Sequence, residues 1–169
     1  MDRSLIIDVV KKTTSNLFST MLKMEITADD ALEGQNTLPL QAHVTAVIGC
    51  AGNYRGGMAI YLPKDLALES VAAMLDIDVE KITIDQMTLN VKDAIGEIIN
   101  IIAGGVKAEL YKAGVTFKLS LPTVIVGEKF RVYVDSSQER ARAIVPFSSK
   151  GKQFFVECNI EKAEKRVNE

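Results

Sequence analysis

The sequence is poor in the residues that most hydrolases use for covalent or metal chemistry. It has one histidine, His43, and two cysteines, Cys50 and Cys158. No CxxC pair or Cys/His cluster occurs, so neither a structural zinc site nor a disulfide framework is indicated. Two buried thiols in a reducing compartment is the simpler reading. His43 lies in QAHVTAV, which alternates like a strand, and no Ser/Asp set accompanies it as a catalytic triad would require. Charge bias is also missing: 20 basic residues face 22 acidic ones, for a net charge of −2. That gives no general electrostatic case for nucleic acid or anionic lipid. No apolar run reaches the ~18 residues of a membrane span. In MDRSLIIDVVKKTTSNLF, Asp8, Lys11 and Lys12 interrupt any signal-peptide core. The expectation is a cytoplasmic protein that binds neither nucleic acid nor membrane.

What is present is enough core for one domain. Of the 169 residues 47% are hydrophobic and 25% charged, and folding at this length can bury about 70% of the unfolded surface. A single domain over 1–169 is expected, with a charged tail over about 161–169. Ile6, Val9, Val10, Thr13, Leu17, Met21 and Met24 recur at helical spacing and predict a first helix over 3–24. HVTAVIGC (43–50) and YRGGMAIYLP (54–63) flank AGN as a hairpin, and Gly56-Gly57 suggests a bulge or a close backbone approach. KDLALESVAAMLD (64–76) predicts a second helix with Leu66, Val71 and Met74-Leu75 inward. Asp85 can cap a third, running to about Lys112 and stopped by Gly114. Four β segments follow, at 115–127, 130–137, 141–149 and 153–161. This order is α+β, an antiparallel sheet packed against amphipathic helices, and not an alternating βαβ one. A faint echo between the halves, each a helix followed by paired strands, is compatible with duplication.

The third helix carries the unusual chemistry. At ~100° per residue, Val91, Ile95, Ile98, Ile99, Ile102, Val106 and Leu110 form one apolar arc. Asp93, Glu97, Asn100, Gly104, Lys107 and Tyr111 form the opposite one. Glu97 and Asn100 are therefore neighbours one turn apart. A merely solvated face would be rich in Lys and Glu. This one has an amide and bare glycine, although Asn is a poor helix former and Gly costs ~1 kcal/mol against Ala. Such costs at 96, 100, 104 and 105 mark a candidate site, and a small, centrally polar face suits a docking partner. For Gly105, close helix–sheet packing or a kink is the favoured reading. The E-x-x-N pattern alone is cheap: Glu33-Gly34-Gln35-Asn36 repeats it in a loop and is assigned no function.

KDAIGEIINIIAGGVKAEL resembles the signature of the CheC/CheX/FliY group of chemotaxis phosphatases. That signature has an Asp or Ser, a Glu four residues on, an Asn three further, and a Pro about two dozen residues later. Here these are Asp93, Glu97, Asn100 and Pro122. VIGCAGNYRGGMAIYLP also resembles the family's first strand pair, and the single signature is of the CheX type. In the first helix Asp8 is followed by Lys12 where a Glu would stand, so that half reads as silent. The resemblance implies dephosphorylation of a CheY-like response regulator. Asn100 would orient the attacking water and Glu97 would pair with the regulator's active-site Lys. Asp93, Gly96, Gly104 and Lys107 are read as partner-binding or supporting residues, Asp93 as a helper that keeps the helix or Glu97 in place and Gly104 as room for a partner to approach. It implies no cofactor or metal held by this chain, since the Mg²⁺ would sit in the regulator, and it implies a homodimer joined through the sheets. Two rival readings stay open. One is an adaptor that binds a regulator or a flagellar switch component without hydrolysis. The other is self-association through this helix face, in which Leu89 and Ile101 would matter more than Asn100.

Overall fold

A computed structural model of the chain describes residues 1–33, 42–82, 84–127 and 142–163. Helix α1 (Arg3–Thr20) starts at Asp2, whose side chain accepts a hydrogen bond from the Ser4 N–H at 3.0 Å, the arrangement that satisfies an orphan donor at a helix start. A short strand β1 (Thr27–Ala28) follows, then the hairpin β2 (Val44–Gly52) and β3 (Tyr54–Leu62), then α2 (Lys64–Leu75) and α3 (Ile84–Lys112). Strands β4 (Phe117–Leu119), β5 (Thr123–Val126), β6 (Arg142–Ser149) and β7 (Lys152–Lys162) complete the described residues.

The sheet order is β1-β6-β7-β3-β2-β4, with β5 also on β2, and every pairing is antiparallel. The fold is thus α+β, as the order of sequence patterns predicts. The helices cover one sheet face. Val44, Ala46 and Ile48 of β2, Met58, Ile60 and Leu62 of β3, and Phe154, Val156 and Cys158 of β7 meet α1 and α3 in one core. The opposite face holds a smaller cluster of Ala42, Ala59 and Tyr61, with Val47 and Phe155 partly buried beside it. There the buried Glu157 accepts 2.7 Å hydrogen bonds from Tyr61 Oη and from Arg142 Nε. Burial first, and the Glu157 charge second, push the Tyr61 phenol well above its ordinary pKa.

Gly56 explains the glycine pair of β3. Its φ is +134°, and a Cβ there would collide with the Asn159 carbonyl oxygen of β7. The close backbone approach expected from the sequence is therefore real. At the end of α3, Gly114 has φ +78°. Its N–H donates to Tyr111 O, and Val115 N–H donates to Leu110 O, which closes the helix as a Schellman motif.

Several boundaries differ from the sequence reading. Helix α1 ends at Thr20, so Met21 is 50% exposed and Phe18 takes the core position instead, stacking on Phe154 at 4.9 Å. Leu75 is 44% exposed because α2 ends there at the left-handed Asp76, while Ala67, Ser70 and Ala72 are buried. The single strand expected at 115–127 is two strands, since Ser120–Pro122 leaves the ladder and a proline cannot donate to it. Helix α3 begins at Ile84, which puts Asp85 inside its first turn. The side chains of Asp85 and Leu89, the expected strand 130–137, Gly34-Gln35-Asn36 and residues 164–169 lie outside the described residues.

The strand order has an internal symmetry. Exchanging α1 with α3, β1 with β4, β2 with β6 and β3 with β7 returns the same order. The echo noted in the sequence is therefore a property of the fold. Backbone hydrogen bonds fix the equivalence by residue. Asp29 N–H donates to Pro146 O and Leu32 N–H to Ile144 O in one half. In the other, Ser120 N–H donates to Gly49 O and Thr123 pairs with Val47. Asp30-Ala31 thus occupies the place of Leu121-Pro122.

Candidate functional site

The site is a helix face with one wall. All seven residues of the apolar arc of α3 are completely buried, and this forces the opposite arc outward. Asp93, Glu97, Asn100, Lys107 and Tyr111 are exposed and Gly104 is half-buried. Asn100 Nδ2 donates a long 3.5 Å hydrogen bond to Glu97 Oε2. With the amide nitrogen turned to the carboxylate, the Asn100 carbonyl oxygen is the atom left to accept from water. Among the described residues Glu97 makes no ion pair.

The three glycines differ. Gly96 is buried, and a Cβ there would lie 3.4 Å from Pro122 Cγ and 3.6 Å from Val124 Cγ2. It sits under the wall and not on the exposed arc. A Cβ at Gly104 would meet nothing within 4 Å, so this position leaves the face bare. A Cβ at Gly105 would lie 3.0 Å from Thr13 Cγ2. Gly105 therefore serves close packing, as expected, but against helix α1.

The wall is the Ser120–Pro122 turn between β4 and β5. Ser120 N–H donates to Gly49 O at 2.9 Å, and Gly49 N–H donates back to Ser120 Oγ at 2.9 Å. The same hydroxyl donates to Leu121 O at 2.8 Å. Between wall and helix lies a groove of about 460 Å³ lined by Lys92, Asp93, Gly96, Glu97, Asn100, Leu121, Pro122 and Val124. The fold thus brings Asp93, Gly96, Glu97, Asn100 and Pro122 together, while Gly104 and Lys107 lie farther along the same helix. Lys92, Leu121 and Val124 are the lining residues that the sequence reading missed. The available signal was Pro122 in a strand-like run, because a proline restricts its predecessor and breaks a ladder.

Other reactive side chains are unpromising. Burial pushes the Cys50 thiol up to about 11 and the Cys158 thiol higher still, so neither is a ready nucleophile. His43 is half-buried at the start of β2, its N–H donating to Leu62 O. Among the described residues no group of three His, Cys, Asp or Glu could hold a metal, and no helix is long and apolar enough to cross a membrane.

An exposed carboxylate and amide beside a groove, on the helix that runs under the sheet, form a distinctive arrangement. The family model for chemotaxis phosphatase CheX matches residues 44–148, a span that holds the helix, the wall and the β2–β3 hairpin. This chain belongs to the CheX family. CheX from Desulfovibrio desulfuricans is similar to it with 28% identity and a TM-score of 0.81, over 92% of this chain and 99% of that one. CheX from Vibrio vulnificus matches with 26% identity and a TM-score of 0.81 over the same shares. The CheX–CheY–BeF3–Mg²⁺ complex from Borrelia burgdorferi shares the fold at 24% identity and a TM-score of 0.77, over 93% and 98%. No curated protein sequence matches the chain.

Proposed function

We propose that this CheX-family chain hydrolyses the aspartyl phosphate of a CheY-like response regulator, with Asn100 orienting the attacking water. The observation that carries this reading is the Glu97/Asn100 pair on an outward helix face beside an open groove. A phospho-aspartate lies at the surface of a folded regulator, so its catalyst must reach outward and not enclose a substrate. Phosphoryl transfer asks mainly for in-line positioning and for stabilisation of charge. An amide suits the positioning, since its carbonyl accepts a proton from water while its NH₂ donates to a neighbouring oxygen. Fixing a nucleophile in line removes several kcal/mol of barrier.

Glu97 has a separate task. Its carboxylate, unpaired among the described residues and next to Asn100, is placed to meet a cation beside the phosphorylated Asp, the active-site Lys of the regulator. Docking would partly desolvate this pair and fix the register of the two proteins. Mg²⁺ would be held by the regulator, as it is a component of the Borrelia burgdorferi complex. Asp93 and Lys107 extend the polar stripe along the partner's footprint, and Gly104 keeps that stripe low. We also infer a homodimer joined through the sheets. That inference rests on membership of the family, since Ala42, Ala59 and Tyr61 on the face away from the helices are already buried within the chain and leave only the partly buried Val47 and Phe155 of that cluster to a partner.

The test is the decay of a phosphorylated regulator with and without the chain. Wild type should speed decay. Asn100→Ala should remove at least about 100-fold of that acceleration with unchanged thermal stability, and Glu97→Ala should act mainly by weakening docking. An Asn100→Ala chain as active as wild type would end the water-positioning role. Tight binding of the regulator with no change in decay would establish the adaptor reading instead.

A further inference from the structure

We infer that Leu121 is an apolar anchor that the receiver partner buries, and that Ser120 holds it in place. This rests on the docking reading above. A single exposed leucine is ordinary on a protein surface, but three observations set this one apart. Leu121 is 88% exposed, the highest value among the large hydrophobic side chains of the described residues. Its backbone is nevertheless fixed from both sides. The reciprocal Ser120–Gly49 hydrogen bonds and the Ser120 Oγ–Leu121 O bond hold it on one side, and Pro122 restricts it on the other. An ordered backbone spares a partner the cost of ordering the turn when it covers the side chain. Finally, Leu121 lines the groove that contains Glu97 and Asn100.

The equivalent place in the other half supports the assignment. There Asp30 replaces Leu121 and Ala31 replaces Pro122. Pro146 stands where Gly49 donates its N–H, so the reciprocal clip cannot form. The half that carries the Glu97/Asn100 pair is the half that presents a rigid leucine. The occupant is a receiver domain with apolar surface beside its phosphorylated carboxylate.

The experiment uses the full chain and each single-domain receiver protein of the source organism, activated with beryllofluoride and Mg²⁺ for binding and phosphorylated for turnover. Leu121→Ala should raise KM and Kd by about tenfold while kcat stays within about twofold, and Leu121→Met should recover most of the loss. Ser120→Ala should shift KM in the same direction by less, and Ser120→Thr should restore it. A Leu121→Ala chain with wild-type KM and Kd overturns the anchor and leaves the phosphatase reading standing. So does a fall in kcat with KM unchanged. If wild type binds the receiver through Leu121 but leaves its phosphate in place, the anchor stands and the phosphatase reading falls. A wild-type chain that neither binds nor dephosphorylates any receiver overturns both.

Discussion

Helices α1 and α3 occupy equivalent places on one sheet, yet only one of them faces outward with a usable constellation. In α3, Gly96 leaves space beneath Pro122, Glu97 is unpaired among the described residues, and Asn100 lies one turn on. In α1 the corresponding positions are Lys11, Lys12 and Ser15. Lys11 reaches Asp30 at 4.0 Å, and Lys12 pairs with Glu109 of α3 at 3.0 Å. The charges of one half are spent within the molecule, and those of the other are left for a partner. The two halves share one arrangement of strands and helix, and what separates a silent face from a candidate site is the groove as much as the pair of polar residues.

The largest effect short of removing Asn100 should come from giving α3 the α1 solution. Gly96→Lys would place a long cation in the groove next to Pro122 and Val124. We expect KM for a phosphorylated receiver to rise by at least about tenfold, equivalent to about 1.4 kcal/mol, with the fold retained by circular dichroism. Gly96→Ala is the control. Its Cβ would make an ordinary 3.4 Å contact with Pro122 Cγ, so steady-state kinetics should be little changed. A Gly96→Lys chain with wild-type KM would mean that the groove is not where the partner sits.

The parts of this comparison that the sequence discloses are the ones written locally. The α3 arc was legible because apolar residues repeat at 3.6 spacing over many turns, and every residue assigned to its buried side is buried. Gly56 was legible because a glycine pair inside a strand points to a bulge or a close backbone approach, and the second is what its contact with Asn159 shows. The wall was not. Leu121 shares a groove with Asn100 only because β4 and β5 both pair with β2, a long-range consequence of sheet order that no periodicity encodes. The Ser120–Gly49 clip is invisible for the same reason. Met21 and Leu75 were misplaced because both lie at helix ends, where the chain departs from the period that the reading assumes.

An intermediate effect separates the two adjacent glycines. Gly104 looks into open space, so Gly104→Ala removes a helix-breaking residue without a clash and should stabilise the fold by up to about 1 kcal/mol. Gly105 faces Thr13 across the α1–α3 seam, where even a Cβ is tight at 3.0 Å. Gly105→Val should therefore destabilise by about 1–3 kcal/mol through overpacking. Denaturant midpoints measured side by side would check both. If the two shifts had the same sign, the seam would be looser than its geometry indicates.

The smallest effects belong to α1, and they ask whether the side-chain pattern suffices without the groove. Lys12→Glu with Ser15→Asn writes the Glu/Asn spacing onto the silent helix. Placed in an Asn100→Ala background, this pair should restore no regulator dephosphorylation, because Asp30 and Ala31 stand where the wall would be needed. Lys12→Ala alone should leave activity intact and lower Tm slightly, more at low salt than at high. Its pH dependence has a definite sign. Hydrogen bonds from Lys12 and then Lys112 hold the Glu109 carboxyl below its usual range. A depressed carboxyl contributes stability above its unfolded pKa and loses it as pH falls through the folded value. The Tm difference between wild type and Lys12→Ala should therefore shrink as pH is lowered through the carboxylate range. A difference that grew on acidification would mean that Lys12 acts on something other than Glu109, and recovered phosphatase activity in the double replacement would mean that the pair of side chains is enough by itself.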